Sequence, residues 1–370
     1  HRTQSVVQNG KFVADVLYYY GDHVPNVFPY KHSDPAGVMP GFDYDVTDET
    51  IFLKLKMNDG KLVVPGGIEY RVLVLPDHKV LSMAVLEKVE ELLKEGAQVI
   101  GYRPESSVSL VGGEKEQQKF QELANQIWGN EPGEKGEKKY GKGLVIWGVT
   151  AREFLLSKDI REDFKIPGDT SKTDFDYIHY TIGESDVYFV TNQTTERKEI
   201  NGQFQVSGLQ PELWDALTGE IREAQAFTQN DGLTTVPLTF DPYGAIIVVF
   251  NKPIDKNTQG TAQRNYPDFK TVKNIDGEWN VNFDAQWGGP ASVTFPELMD
   301  WTKHPDVGIK YYSGTAVYNK KFNLDFEPEK DKQYFLQLED VKDVGIAEVK
   351  INGKDKGVLW TKPFRVEISE

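Results

Sequence analysis

Apolar β-branched runs alternate with amphipathic stretches as far as about Thr170, and beyond it nearly every segment is a short apolar run bounded by Gly, Pro, Asn or Asp. The first pattern predicts an α/β unit and the second predicts strands packed as sandwiches. Phe12–Tyr20 (FVADVLYYY) reads as strand one, closed by Gly21 and followed by a loop with Pro25, Pro29, Pro35 and Pro40. Val46–Lys56 reads as a helix with Thr47 or Asp48 as N-cap, and Lys61–Val64 and Tyr70–Leu75 as strands, the second buried on both faces. Ser82 caps a helix over Met83–Glu95, where Val85, Leu86, Val89, Leu92 and Leu93 share one face and Gly96 sits at the C′ position. Ala97–Gly101 and Gly143–Trp147 then read as strands, Glu116–Trp128 and Arg152–Lys158 as helices, and Gly129–Lys142 as a mobile surface connection. Strands separated by helices of this length imply right-handed crossovers and a mostly parallel sheet.

From Tyr177 the strands are Tyr177–Tyr180, Val187–Thr191, Gly202–Val206, Ala224–Phe227, Thr234–Leu238 and Ala245–Phe250, with turn signals such as Asp231-Gly232 between them. The polar stretch Pro253–Arg264 reads as a linker. A last unit offers strands at Trp279–Phe283, Gly314–Phe322, Tyr334–Leu338, Ala347–Ile351, Val358–Leu359 and Phe364–Ile368, one or two short of the roughly eight of a jelly roll. Three domains are expected, over residues 1–168, 172–254 and 264–370.

Charge and composition narrow the partners. A net charge of −15 supplies no basic stripe for nucleic acid, and the longest apolar run, Ala245–Phe250, is far below the roughly 20 residues that span a bilayer. Neither nucleic acid nor membrane is expected as a partner, and the chain is expected to be soluble. The absence of cysteine removes disulfides, thiolate metal sites and any Cys nucleophile. The chain begins at His1 without Met and stops at Glu370 just after a strand-like run, so both ends read as cut.

Seven segments, in order, carry a resemblance: FVADVLYYYGDHVPN (Phe12–Asn26), GFDYD (Gly41–Asp45), YRVLVLP (Tyr70–Pro76), PELWDALTGEI (Pro211–Ile221), TTVPLTFDPYGAIIVVF (Thr234–Phe250), IKYYSGTAVYNKKF (Ile309–Phe322) and INGKDKGVLWTKPFRVEI (Ile351–Ile368). Together they resemble the C-terminal half of glycoside hydrolase family 106, the α-L-rhamnosidase-like enzymes. The resemblance implies a glutamine-amidotransferase-like, flavodoxin-like α/β domain, then a β-sandwich, then a galactose-binding-like jelly roll that is truncated here. It also implies an upstream catalytic barrel carrying the acid and base glutamates, a plant polysaccharide as substrate, and export to the periplasm or cell surface. Members of this group often read His-Arg where this chain has His179-Tyr180.

An amidotransferase needs a thiolate on the sharp turn after a central strand, and the turn after Ala97–Gly101 offers Tyr102, Arg103 and Pro104. Glutamine hydrolysis is therefore excluded. Ligands of open α/β sheets bind outside the carboxyl ends of the strands, which draws attention to Asp22, His23, His32, Asp34, Asp43, Tyr44 and Asp45 in the loop after strand one. In one reading, Asp22 and His23 hydrogen-bond sugar hydroxyls while Asp43 and Asp45 orient them or hold a hard cation; in the other, these residues cap loop backbone. His78, His179 and His304 lack metal-ligand spacing and read as structural or surface residues, so no metal or cofactor is expected. Trp279 and Trp360 fall in or beside strands at apolar phase and read as core, whereas Trp287 and Trp301 fall in loops and are the candidates for stacking on sugars.

Glycosidases commonly set two carboxylates roughly 5 to 9.5 Å apart across the scissile bond, and no eightfold βα repeat marks such a pair here. The expected function is a noncatalytic region of an α-L-rhamnosidase-like hydrolase, bracing its barrel. The alternatives are an independent carbohydrate-binding module or an activity of its own, and an open jelly-roll edge would permit a homodimer.

Overall fold

The structure is a computed structural model and describes residues 2–24, 31, 37–109, 111–171, 173–338, 341 and 345–369. The chain divides into two compact units, His1–Tyr266 and Pro267–Glu370.

The first unit is built on two sheet systems. Its chain opens with helix α1 (Arg2–Asn9) and strand β1 (Lys11–Val13), which joins the sandwich by pairing antiparallel with a strand over Phe175–Ile182. Only Ala14 and Asp15 separate β1 from β2 (Val16–Tyr19), which lies in a different, parallel sheet. The single strand expected over Phe12–Tyr20 is thus two. The break is fixed by the Asp15 carbonyl, which accepts from both Arg71 N (2.8 Å) and Val72 N (3.1 Å).

The parallel sheet continues with β3 (Tyr44–Thr47), β4 (Val72–Val74), β5 (Gln98–Ile100), β6 (Gly136–Tyr140) and β7 (Gly143–Trp147), in the spatial order β6-β7-β5-β4-β2-β3. All neighbours are parallel except β6 and β7. Alternation along each strand separates two cores. Leu17, Tyr19, Leu73, Val99 and Val145 meet helices α2 (Met83–Glu95) and α3 (Gly113–Trp128) on one face. Val16, Tyr18, Val72, Val74, Ile100 and Ile146 meet α4 (Ala151–Ser157) and Phe42 on the other. Side chains of this size contribute about 1.5–3 kcal/mol each when fully buried, so helix attachment comes mainly from these faces.

Helix α2 matches its predicted bounds: Ser82 Oγ accepts from Val85 N, and Gly96 ends it at φ 124°, a backbone region that favours glycine. Thr150 and Glu153 close a reciprocal capping box at the start of α4. Two expectations change. Tyr44–Thr47 takes a strand because it pairs in register with Val16–Tyr19, which leaves a single helical turn, Glu49–Phe52, capped by Asp48. The supposed connection Gly129–Lys142 contains edge strand β6, whose Glu137 and Lys139 face solvent while Gly136 lies on the Trp147 ring.

The sandwich packs a six-stranded sheet, which includes Phe175–Ile182, Ser185–Asn192, Leu209–Trp214 and Ala245–Pro253, against a four-stranded sheet that includes Lys198–Phe204 and Leu233–Phe240. Tyr188, Phe204, Val236, Val248 and Phe250 fill the space between them, and α1 places Val6 over Val187 and Val249 on the outer face. The polar stretch expected as a linker is bonded onto the sandwich: Gly260 N donates to Phe227 O and Asn265 brackets Ala226 from both sides. In the second unit a three-stranded sheet (Val293–Phe295, Trp279–Phe283, Ala316–Asn319), a hairpin of Ala347–Ile351 with Lys354–Leu359 and a pair of Phe335–Gln337 with Arg365–Glu367 are separate small sheets, and Val281, Phe283, Phe295, Ile309 and Tyr312 form a core.

A buried charge network lies where sandwich and parallel sheet meet inside the first unit. His179 is 5% exposed, with Nδ1 3.1 Å from Asp163 Oδ2 and Nε2 3.0 Å from Asp186 Oδ1, and its ring stacks on Tyr188 at 3.9 Å. Tyr188 Oη donates to Asp163 Oδ1 (2.8 Å), and Asp163 N donates to Gly41 O (2.9 Å). Burial works against charging the imidazole, but Asp163 and Asp186 outweigh it and hold the group up to about 9. Its folded pKa exceeds the ordinary 6.5, so its stabilisation is complete below about pH 6.5 and is lost as pH rises through about 9. We predict that wild-type urea stability falls by about 3 kcal/mol between pH 6.5 and 10, and that His179→Ala starts lower and is flat over that window. A flat wild-type curve would refute the charged assignment.

Candidate functional site

The chain lays β3 on one side of β2 and β4 on the other, so the strand order reverses between β2 and β4, and the carboxyl ends of these strands are where open α/β sheets place a ligand crevice. Asp22 and His23 follow β2 there, and His78 follows β4. The His23 and His78 rings lie 4.7 Å apart. Burial, then the neighbouring His23, pushes the His78 imidazole below its usual range, so it stays neutral near pH 7. Its Nδ1 is buried and has no hydrogen-bond partner among the described residues. Gly21, at φ 96°, lets the chain turn against Pro76 and this ring, since a Cβ there would meet Pro76 at 3.0 Å.

Asp22 is already engaged. Its Oδ1 accepts from Tyr19 Oη at 2.6 Å and its Oδ2 from Ser82 N at 2.8 Å, which ties the loop to the start of α2. Ser82 Oγ in turn donates to Glu49 Oε1 at 2.8 Å. Burial, then Asp22, raises the Tyr19 hydroxyl far above its usual range, so it remains a donor.

The other two loop acids lie at the opposite edge of the sheet. Asp43 directly precedes β3, about 13 Å along the strand direction from the carboxyl ends at the usual rise of ~3.3 Å per residue, and Asp45 is its second residue, about 7 Å from them. Asp43 is 3% exposed and faces Lys31, whose Nζ lies 2.9 Å from Asp43 Oδ2 and 2.9 Å from Asp176 Oδ1. Burial raises the Asp43 carboxyl to about 6, with Lys31 opposing. Asp45 accepts from Val46 N and from Tyr70 Oη, both at 2.7 Å. Of the residues grouped by sequence, Asp22 and His23 are therefore separated from Asp43 and Asp45, because β3 runs parallel to β2 and starts at its amino end. His32 and Asp34 lie outside the described residues. Among the described residues, no group of three or more His, Cys, Asp or Glu could hold a metal ion.

The turn after β5, where an amidotransferase would carry its nucleophile, holds a strut: Arg103 donates to Asn125 and Gln121 of α3. His78, Glu49 and Ser82 are the crevice residues that sequence reasoning missed. Their sequence separation from Asp22 gave no signal, and only the strand order brings them together.

The two candidate tryptophans of the second unit differ. Trp287 ends a single turn over Ala285–Trp287 and is 71% exposed. Trp301 is packed against Phe283 (5.4 Å) and Tyr312 (5.8 Å), and its indole N–H donates to Tyr318 Oη, so the core of this unit engages it. Trp360, expected in a core, is 62% exposed and follows a strand of a two-stranded hairpin.

We predict that Asp22→Ala lowers stability by about 1–3 kcal/mol, as loss of a helix-start acceptor and of a charged hydrogen bond requires. In a double-mutant cycle with Tyr19→Phe the two losses should be less than additive when read by urea unfolding. Strict additivity would show that the Tyr19 contact contributes nothing.

The sequence profile of the alpha-L-rhamnosidase family, glycoside hydrolase family 106, matches residues 1–229. A protein of Formosa agariphila named for a candidate beta-glucuronidase activity is 33% identical over 264 residues, which cover 70% of this chain and 21% of that protein. The solved structure of a rhamnosidase from a Novosphingobium species is similar over 100% of this chain and 34% of its own, with a TM-score of 0.77 and 28% identity. The chain thus spans about a fifth to a third of the length of these relatives. With its profile match over more than half its length, the chain belongs to glycoside hydrolase family 106, the alpha-L-rhamnosidase family.

Proposed function

We propose that this chain is a noncatalytic region of an alpha-L-rhamnosidase-like hydrolase of plant polysaccharide, with the acid and base glutamates in an upstream barrel that it braces. One observation carries this reading: Asp22, Asp43, Asp45 and Asp48, in and beside the parallel strands, are engaged in the fold. Asp22 holds the start of α2, Asp48 caps a helical turn, Asp43 faces Lys31 and Asp45 takes the Tyr70 hydroxyl. A glycosidase pair needs one carboxyl kept protonated and another left free to attack or to activate water. The similarity of the whole chain to about a third of a solved rhamnosidase supports the same division of labour.

The parallel strands, taken in chain order, follow the 2-1-3-4-5 arrangement of flavodoxin-like sheets, which supports an amidotransferase-like scaffold that keeps the shape and lacks the thiol. In this reading the second unit is part of a galactose-binding-like jelly roll. The crevice carrying Asp22, His23 and His78 then forms a polar edge beside the barrel's pocket, where His23 and His78 offer imidazole nitrogens to sugar hydroxyls. Export to the periplasm or cell surface is consistent with a polymeric substrate, and no described helix is long and apolar enough to cross a membrane.

The purified chain is expected to release no 4-nitrophenol from 4-nitrophenyl α-L-rhamnoside above the uncatalysed rate. Turnover near a typical enzyme value of about 10 per second would overturn the noncatalytic assignment.

A further inference from the structure

We infer that the cleft lined by Arg71, Gln205 and Ser207, inside the first unit, is a binding site for a uronate, a sugar ring that carries a carboxylate. The sugar follows from the family to which the chain belongs and the carboxylate from the donors of the cleft itself, so the noncatalytic reading does not enter.

The cleft lies at the amino ends of the parallel strands, away from Asp22 and His23, where the sheet meets the sandwich. Arg71 directly precedes β4, Asp159 and Arg161 follow α4 in the chain, and Gln205, Ser207 and Gly232 come from the sandwich, around a cavity of about 510 Å³. A second cavity of about 410 Å³ adjoins it at Arg71 and Ile160 and is lined by Lys61, Gln98 and Lys158 as well. Ligand sites commonly measure about 300–1,000 Å³ and favour seams between packed domains, so a sugar ring has room here.

The walls carry donors that the fold leaves unused. Arg71 gives only Nε to the Asp15 carboxylate (2.7 Å), and its two terminal nitrogens bond nothing among the described residues. The Gln205 amide and the Ser207 hydroxyl have no partner among the described residues either, although Gln205 N is fixed by donating to Asp163 O at 2.9 Å. Lys158 Nζ lies over the Phe154 ring at 5.4 Å and forms no ion pair among the described residues.

The local charge runs against that of the chain. Arg71, Arg161, Lys61 and Lys158 line the two cavities against Asp59 and Asp159, four cations to two carboxylates, where the chain has 42 Lys and Arg to 57 Asp and Glu. Three further carboxylates touch these cations without lining either cavity: Asp15 on Arg71, Asp231 on Arg161 (2.8 Å) and Glu69 on Lys61 (3.1 Å). Arg161 and Lys61 are thereby paired, which leaves the Arg71 fork and Lys158 as the charged donors open to a ligand. The planar edge of a guanidinium matches the two oxygens of a carboxylate, whereas a neutral hexose offers that edge no such pair. Gln205, Ser207 and Asp159 supply the donors and the acceptor that ring hydroxyls require.

Titration calorimetry and saturation-transfer NMR on the chain with D-galacturonate and D-glucuronate, beside D-galactose, D-glucose and acetate, test the site. At least one uronate is expected to bind with a Kd of about 1 mM or below, about tenfold or more tighter than its neutral hexose and than acetate, and to weaken as salt is raised. Arg71→Lys keeps a cation for Asp15 and loses the fork, so it should weaken that uronate by about tenfold or more. Because Asp15 is buried, Lys158→Ala and Ser207→Ala provide a second arm: each should weaken binding by about twofold to tenfold and leave the thermal unfolding midpoint in place. No binding of either uronate at about 20 mM overturns the proposal. Equal affinity for acetate, equal affinity for the neutral hexose, or uronate binding unchanged in both arms overturns it as well. None of these readouts is a hydrolysis rate, so failure here and failure of the noncatalytic reading are distinguishable.

Discussion

The first unit depends on a crossing two residues long. Ala14 and Asp15 carry the chain from a sandwich strand into the centre of a parallel sheet, and Asp15 is the anchor of that crossing. Its carbonyl accepts the amides that begin β4, its own amide donates to Asp43 O before β3, and its carboxylate takes Arg71 Nε at 2.7 Å. One residue therefore sets the starting level of three neighbouring strands. Because β2 is only four residues long, that level also sets where Asp22 and His23 emerge, and hence the crevice. The cost of this arrangement is visible in Asp15 itself, whose carboxyl is raised by burial despite the opposing Arg71.

Buried charge elsewhere in the unit shows how the number of counter-charges decides the outcome. His179 sits between two carboxylates and remains cationic although burial opposes it. Asp43 has one cation, Lys31, which it shares with Asp176, and there burial wins and the carboxyl is raised to about 6. Removing one partner from such a site leaves an uncompensated charge, whereas the intact cluster contributes little net stability over an apolar replacement. Its effect is positional. Lys31 and Gly41, from the loop between β2 and β3, are bonded to Asp176, Tyr177 and Asp163 beside the sandwich, so the loop and the sandwich strand hold one arrangement.

Legibility in the sequence followed the range of the interaction. Helix α2 was readable to the residue because its cap, its apolar face and its terminal glycine are all local. Strand β7 was readable because a buried central strand needs a continuous apolar run. The break at Ala14 and the strand Tyr44–Thr47 were not, since each is decided by a partner strand far along the chain that overrides local preference. Edge strand β6 was hidden by its charged composition, which suits an exposed edge that must not recruit another chain. At the site, Asp22 and His23 were found by their place after strand one, but Asp43 and Asp45 were grouped with them only by sequence proximity. Asp43 precedes a parallel strand and Asp45 lies in its first half, which sets both back from the carboxyl end, and no composition signal reports the direction of a strand.

The tryptophans show the same limit and what it implies. Trp287 and Trp301 both sit in single turns capped by an aspartate two residues before a bonded amide, and nothing local distinguishes them. What separates them is whether a donor for the indole and rings for its faces lie within reach: Tyr318, Phe283 and Tyr312 provide these for Trp301, and no ring contact of that kind covers Trp287 among the described residues. A tryptophan is among the largest apolar surfaces a chain can expose, and selection for stability alone would favour a polar residue at a solvated turn. The neighbouring backbone is close-packed: a Cβ on Gly308 would meet the Gly288 carbonyl at 2.8 Å, and one on Gly289 would meet Phe283 and Tyr312. That approach closes the small core of Phe283, Ile309 and Tyr312 with backbone in place of side chains. The indole of Trp287 is therefore left outside a core whose closure is made by backbone, whereas that of Trp301 is drawn into it.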